Sequence, residues 1–270
     1  MRRTWRALYE GAALGIGLGT LGLVCLVWSP FAWVLQRIVP DGRGGRVGRL
    51  FNMGCLRFYL WTLSATRAIR FDIDALDALR GQAPVIIAPN HPRLLDAFLV
   101  ISRLPNVVCI MKGELMRNVF LGAGARLAGY IGNHSLHAMI RDSVATLHAG
   151  NHLLLFPEGT RTVREPVNPF TAAVGLISAR GNVAVQTVFI ECDSEYLRKG
   201  WPLFRRPALP ITFRVRLGRQ FEPPEDVRAF TLALEAYFTD ELMAVAALPA
   251  TASRPAFARR DVAANLANPT

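Results

Sequence analysis

The chain has 270 residues, 31 basic and 20 acidic, giving a formal net charge of +11 at neutral pH. It is 51% hydrophobic with only 19% charged side chains. At ~150 residues per domain this length allows one or two domains, and the apolar content excludes a disordered chain. Four cysteines, at 25, 55, 109 and 192, have no C-x2-C spacing. That spacing indicates neither a zinc site nor a disulfide scaffold and fits a reducing compartment.

Residues 11–36 contain no charged side chain. As a helix, residues 11–29 alone would be ~28 Å long, close to the ~30 Å hydrocarbon core of a bilayer. The spacing predicts a retained membrane helix. A cleaved signal peptide, suggested by Arg2, Arg3 and Arg6, is disfavoured because the apolar run is too long and no small-x-small site precedes the turn at Pro40–Gly42. Pro30 is expected to kink or end this helix, and Trp28 and Trp33 to sit at the interface. Gly11, Gly15 and Gly19, at i, i+4 and i+8, are either a close-packing face or the ordinary glycine content of a membrane helix. Arg37, Arg43, Arg46 and Arg49 after the segment, against three arginines before it, predict the inner (cytoplasmic) membrane, single-pass or monotopic, with the remainder cytoplasmic. Residues 50–66 are aromatic-rich and predict an interfacial helix.

Past residue 66, short apolar runs at 85–88, 107–111, 152–156, 183–190 and 211–218 predict buried strands. Helical patterns at 94–104, about 114–128, 135–150, 171–180 and about 225–246 lie between or after them. Alternation of this kind predicts one α/β domain with a largely parallel central sheet flanked by helices, preceded by an N-terminal membrane helix. The expected division is an anchor and interfacial helix at 1–66, a globular domain at 67–247 and an Ala/Pro-rich mobile tail at 248–270.

The strand at 85–88 runs into Pro89-Asn90-His91-Pro92-Arg93-Leu94-Leu95-Asp96. An imidazole at a strand end with a carboxylate a few residues on suits a general base and its orienting partner. About sixty residues later another apolar run leads into Phe156-Pro157-Glu158-Gly159-Thr160-Arg161-Thr162. In a parallel sheet this segment lies on the same edge as His91. A glycine there permits close backbone approach, a guanidinium grips phosphate, and hydroxyls add donors.

Asn90-His91-x4-Asp96 followed by Phe156-Pro-Glu-Gly-Thr-Arg161 resembles the glycerophosphate and lysophospholipid acyltransferases over roughly residues 67–220. Lys112-Gly-Glu-Leu115 is similar to that family's K-x-E-L segment. The resemblance implies transfer of a fatty acyl group from an acyl-CoA or acyl-carrier-protein thioester, the co-substrate, to a hydroxyl. His91 would be the base, oriented by Asp96, with no metal or other cofactor. Asn90, Arg93, Lys112, Asn133, Glu158, Gly159, Thr160 and Arg161 would contribute to substrate binding, Arg161 meeting a phosphate. Departures bear on the acceptor. Arg93 stands where the family often has Ser or Thr, Asn133 where it has a phosphate-contacting arginine, and Phe170 is followed by Thr-Ala-Ala without the family's basic residue and glycine. The default acceptor is 1-acylglycerol-3-phosphate. An ornithine lipid or aryl-polyene lipid acceptor, or a non-catalytic lipid-binding protein of the same fold, are the alternatives.

His148 and His152 are four apart but separated by Ala-Gly-Asn, so a metal pair is not expected, and His134, beside the altered second motif, reads as an ordinary helix residue near the site entrance, with a substrate contact as the alternative. Seven cations between Arg198 and Arg219, with no acid in that stretch, suggest membrane phospholipid headgroups, an acidic carrier protein or CoA phosphates, or a solvated face. With an apolar anchor present, nucleic acid is not the expected partner.

Overall fold

Paired isoleucines and leucines in β2 (Ile86–Pro89) and β5 (His152–Leu154) set the plan of the domain, since neighbouring strand residues face opposite sides of a sheet. In the computed structural model, which describes residues 2–39 and 44–247, both sides of these strands are covered. Ile87 and Leu154 join Leu99, Val188 and Phe213 on one face. Ile86 and Leu153 join Ile177, Phe189, Leu234 and Phe238 on the other. Strands buried on both faces read as continuous apolar runs, as they do here.

The seven-stranded sheet has the order β1-β7-β6-β2-β5-β3-β4, with β1 at Ile69–Asp72, β3 at Val107–Met111, β4 at Ile131–Gly132, β6 at Val185–Cys192 and β7 at Ile211–Phe221. Every pairing is parallel except β6 with β7. The C-terminal ends of β2, β5, β3, β4 and β6 therefore share one edge, and both sequence motifs emerge there. The expected α/β fold with a largely parallel sheet is the observed one.

Helices α1 (Arg2–Ile38), α2 (Gly44–Ala65) and α3 (Asp96–Arg103) precede two short helices, α4 (Gly113–Met116) and α5 (Gly122–Leu127). α6 (Leu136–His148), α7 (Ala173–Gly181) and α8 (Val227–Ala246) complete the set. The region near 114–128, expected as one helix, is broken because the Asn118 side chain accepts hydrogen bonds from the Phe120 and Leu121 amides. Such local side-chain capture of backbone donors competes with helix continuation. β1 and β4 fall outside the apolar runs that mark strands in the sequence; both are edge strands, and β4 is only two residues long. Ser135 caps α6 and Asp226 caps α8 by accepting first-turn amides.

α1 corrects two sequence expectations, that Pro30 ends the helix and that Trp28 sits at the interface. It continues through Pro30 to Ile38. The helix is braced from outside on both sides of that proline, where Ser29 bonds the Phe120 carbonyl and Gln36 donates to the Ala123 carbonyl at 2.6 Å. Trp28 is no interfacial anchor, being only 9% exposed. Its ring stacks on Phe51 at 5.0 Å and its Nε1 donates to Asn52 at 2.8 Å. Among the described residues Gly15 and Gly19 meet nothing, whereas a side chain at Gly17 would strike Leu63, at Gly48 the α5 backbone, and at Gly124 Trp28. The tail from Leu248 and the Pro40–Gly42 turn lie outside the described residues.

The cations between Arg198 and Arg219 are also less uniform than the local sequence suggested. Arg198 pairs with Glu195 and Glu165, and Arg216, mostly buried over Phe189, pairs with Glu241. Glu165 and Glu241 come from distant stretches of the chain, which a local charge reading cannot see.

Candidate active site

β2 ends at Pro89, and the exit of the chain is fixed at once. Buried Asn90 donates through Nδ2 to the Ile190 carbonyl of β6 at 3.0 Å and accepts the Ile190 amide at 2.7 Å. His91 follows, and its Nδ1 lies 2.9 Å from Asp96 Oδ2. Asp96, at the first turn of α3, is fully buried; the same oxygen accepts the Arg93 amide at 2.7 Å, while Oδ1 has no partner among the described residues. Burial pushes the Asp96 carboxyl up, and the hydrogen bonds from His91 and Arg93 pull against that rise. A carboxylate so placed takes the Nδ1 proton of a neutral imidazole as its hydrogen bond, which leaves Nε2 as the basic nitrogen. The His91 side chain is 17% exposed and its ring stacks on Phe156 at 3.9 Å, so the ring is fixed in plane yet reachable.

The second motif clasps the first. Glu158 Oε1 accepts the His91 amide at 2.9 Å and the Thr162 hydroxyl at 2.8 Å, and Oε2 accepts the Asn168 amide at 2.9 Å. The Thr162 amide in turn donates to the His91 carbonyl at 2.8 Å. Glu158 is buried, which pushes its carboxyl up against these hydrogen bonds. Gly159 sits at φ +64°, a conformation that an L side chain rarely adopts, and so closes the turn.

Arg93, expected in substrate binding, and Arg161, expected to meet an acceptor phosphate, both bond backbone carbonyls of the chain. Arg93, buried, donates through Nε to the Ser194 carbonyl at 2.7 Å and reaches Glu195 at 3.4 Å. Arg161 donates to the Leu197 and Arg198 carbonyls at 3.0 and 3.3 Å. Half-exposed Thr160 accepts from Lys199 at 3.2 Å. Asn90, His91, Arg93, Asp96, Glu158, Gly159, Thr160 and Arg161 thus gather at the ends of β2 and β5. Lys112 and Asn133 lie farther along the same edge, in a cleft of about 670 Å³ that Glu114, Arg117 and His134 also line. Asn133 Oδ1 accepts the Gly113 amide at 3.0 Å.

Sequence reasoning did not single out Asn168, whose signal is absent from its own loop, nor the role of residues 194–198. His148 and His152 diverge: the first bonds the Gly181 carbonyl, and the second lies between the Val85 amide and the Leu79 carbonyl. Among the described residues no three His, Cys, Asp or Glu side chains are grouped to hold a metal.

A family model described as Acyltransferase matches residues 70–191, which contain both motifs. Over 192 residues the chain is 30% identical to the lyso-ornithine lipid O-acyltransferase of Pseudomonas aeruginosa, spanning 69% of this chain and 70% of that protein. The fold is also that of the crystal structure of the 1-acyl-sn-glycerophosphate (LPA) acyltransferase PlsC from Thermotoga maritima. The two align with a TM-score of 0.65 and 16% identity, over 92% of this chain and 99% of that one. A buried carboxylate behind an accessible imidazole, clasped by the Glu158 turn, is therefore held within the sequence and fold of known lipid acyltransferases, and the chain belongs to the acyltransferase family.

Proposed function

We propose that this enzyme transfers a fatty acyl group from an acyl-CoA or acyl-carrier-protein thioester to the hydroxyl of a lyso-lipid at a membrane surface. His91 Nε2 takes the acceptor hydroxyl proton as the oxygen attacks the thioester carbonyl. The tetrahedral intermediate collapses with loss of the thiolate, and the imidazolium returns its proton to the sulfur. Asp96 holds the tautomer and stabilises the charged ring throughout. The observation that carries this reading is the 2.9 Å contact from His91 Nδ1 to fully buried Asp96, with Nε2 left to the substrate.

Lyso-ornithine lipid is the first acceptor to test. Arg93 and Arg161 are engaged by backbone carbonyls, and Asn133 replaces a cation, so the site is poorer in phosphate ligands than its motifs imply. A 1-acylglycerol-3-phosphate acceptor is the second reading, supported by exposed Lys112 and Arg117 in the cleft. The exposed apolar side chains of α1, Ile16, Leu23, Leu26 and Val27 among them, support attachment to a bilayer. The basic residues after that helix favour the cytoplasmic face of the inner membrane.

Purified protein in detergent, given each thioester with each acceptor, tests the reading through release of free thiol. His91→Ala should lower turnover by at least the ~10²-fold typical of a general base, with folding intact. Undiminished turnover in that variant would overturn the mechanism.

A further inference from the structure

The segment joining β6 to β7 carries an apolar tip bordered by cations that has no part in the chemistry above. Leu203 is 48% exposed and Phe204 80%, the most exposed aromatic side chain among the described residues. The tip is closed on itself. Trp201 Nε1 donates to the Arg205 carbonyl at 3.2 Å, and the Arg205 guanidinium lies 4.7 Å from the Trp201 ring. Its far side is fastened to the first turns of α1, where Arg206 donates to the Ala7 carbonyl at 3.0 Å and the Leu209 carbonyl accepts from Arg6 at 3.3 Å. Its near side is fastened to the active site by the bonds from Arg93 and Arg161 to residues 194–198.

We propose that Trp201–Arg206 is a second bilayer contact, with Leu203 and Phe204 entering the boundary between headgroups and acyl chains and Arg205 and Lys199 meeting anionic lipid phosphates. The inference rests on the membrane-surface reading above. The tip is continuous with α1, whose neighbouring Trp5 and Leu8 are exposed as well. Neither Arg205 nor Lys199 is paired with a carboxylate among the described residues, so both charges are available to an anionic surface. Aromatic and aliphatic side chains flanked by cations are the composition that settles at a bilayer interface. Because the same segment is bonded to Arg93 and Arg161, the contact would set the height of the His91 loop above the lipid.

Binding of the full-length protein to vesicles tests this, with phosphatidylcholine alone and with phosphatidylglycerol added, at limiting lipid. Phe204→Asp should weaken binding to both vesicles about tenfold, as expected for removing one buried aromatic from the lipid. Arg205→Glu should abolish most of the gain from phosphatidylglycerol and leave binding to neutral vesicles unchanged. Both variants should retain wild-type turnover on detergent-dispersed substrates, because the tip touches no reacting group. Wild-type vesicle binding by Phe204→Asp would overturn the proposal. So would loss of turnover in detergent with carrier-protein thioester alone, which would assign the tip to the acyl donor. Wild-type turnover in detergent checks the acyltransferase chemistry separately, so failure there is distinguishable from failure of the tip.

Discussion

Glu158 shows how one buried carboxylate can organise the loop that carries His91. Its two oxygens accept the amides of His91 and Asn168 and the hydroxyl of Thr162, residues drawn from two separate motifs and the loop beyond them. The bond to the His91 amide fixes the backbone from which the imidazole projects, while Asp96 fixes the ring. In Glu158→Gln the amide NH2 must face at least one of these donors, leaving a buried donor without an acceptor. Such a loss costs about 1–3 kcal/mol. The variant should lower the urea midpoint accordingly and reduce kcat through misplacement of His91, with KM for the thioester little changed. A wild-type midpoint would show that the clasp is not needed for stability. The signal for this residue in the sequence was the Glu-Gly-Thr-Arg run; that it faces inward depends on Asn168, ten residues on, which no spacing rule announces.

At the scale of elements, β5 depends on a histidine that must stay neutral. His152 is fully buried; its Nδ1 accepts the Val85 amide at 3.2 Å and its Nε2 donates to the Leu79 carbonyl at 3.1 Å. Burial lowers its pKa from the ordinary 6.5, and the bond to the Leu79 carbonyl opposes the fall. Above the unfolded value neither state binds the proton, so this group adds no pH dependence. Below it the unfolded chain takes up a proton that the native state refuses, and stability falls with falling pH until the native pKa is reached. The slope from this residue is at most about 1.4 kcal/mol per pH unit. Urea unfolding across pH 7 to 5 should show that decline, and His152→Gln should remove its share of the slope. An unchanged slope would contradict the neutral tautomer. Strands such as β5 were legible because burial on both faces writes a continuous apolar run. β1, with the sequence IRFD, was not, because its place beside β7 at the sheet edge leaves charged residues in it. The His91–Asp96 pair was legible for the opposite reason to the Arg93 and Arg161 contacts. Its members lie five residues apart, whereas the carbonyls that engage the arginines lie 101 and 36 residues away.

For the whole molecule, the decisive relation is between α1 and the domain beside it. Near its start, Arg6 donates to the Leu209 carbonyl and Tyr9 to the Thr66 carbonyl; near its end, Gln36 donates to the Ala123 carbonyl. Thirty residues separate Arg6 from Gln36, which is ~45 Å of helix, more than the ~30 Å hydrocarbon core. A crossing orientation would therefore carry through the lipid the flank of the domain that is bonded to both ends of the helix, where polar and charged groups are costly. An in-plane orientation leaves these contacts intact and gives the exposed residues Ile16, Leu23, Leu26, Val27 and Val34 to one leaflet. Exposed Val119 and Phe120, beside Ser29, extend the apolar surface beyond α1 itself. Both ends of α1 should then lie on the same side of the membrane as the catalytic domain. A tag placed before Met1 and a second after Thr270 should be cut by protease in the same vesicle orientation and protected in the same one. Opposite accessibility of the two tags would require the helix to cross, and with it the loss of the Arg6 and Tyr9 contacts.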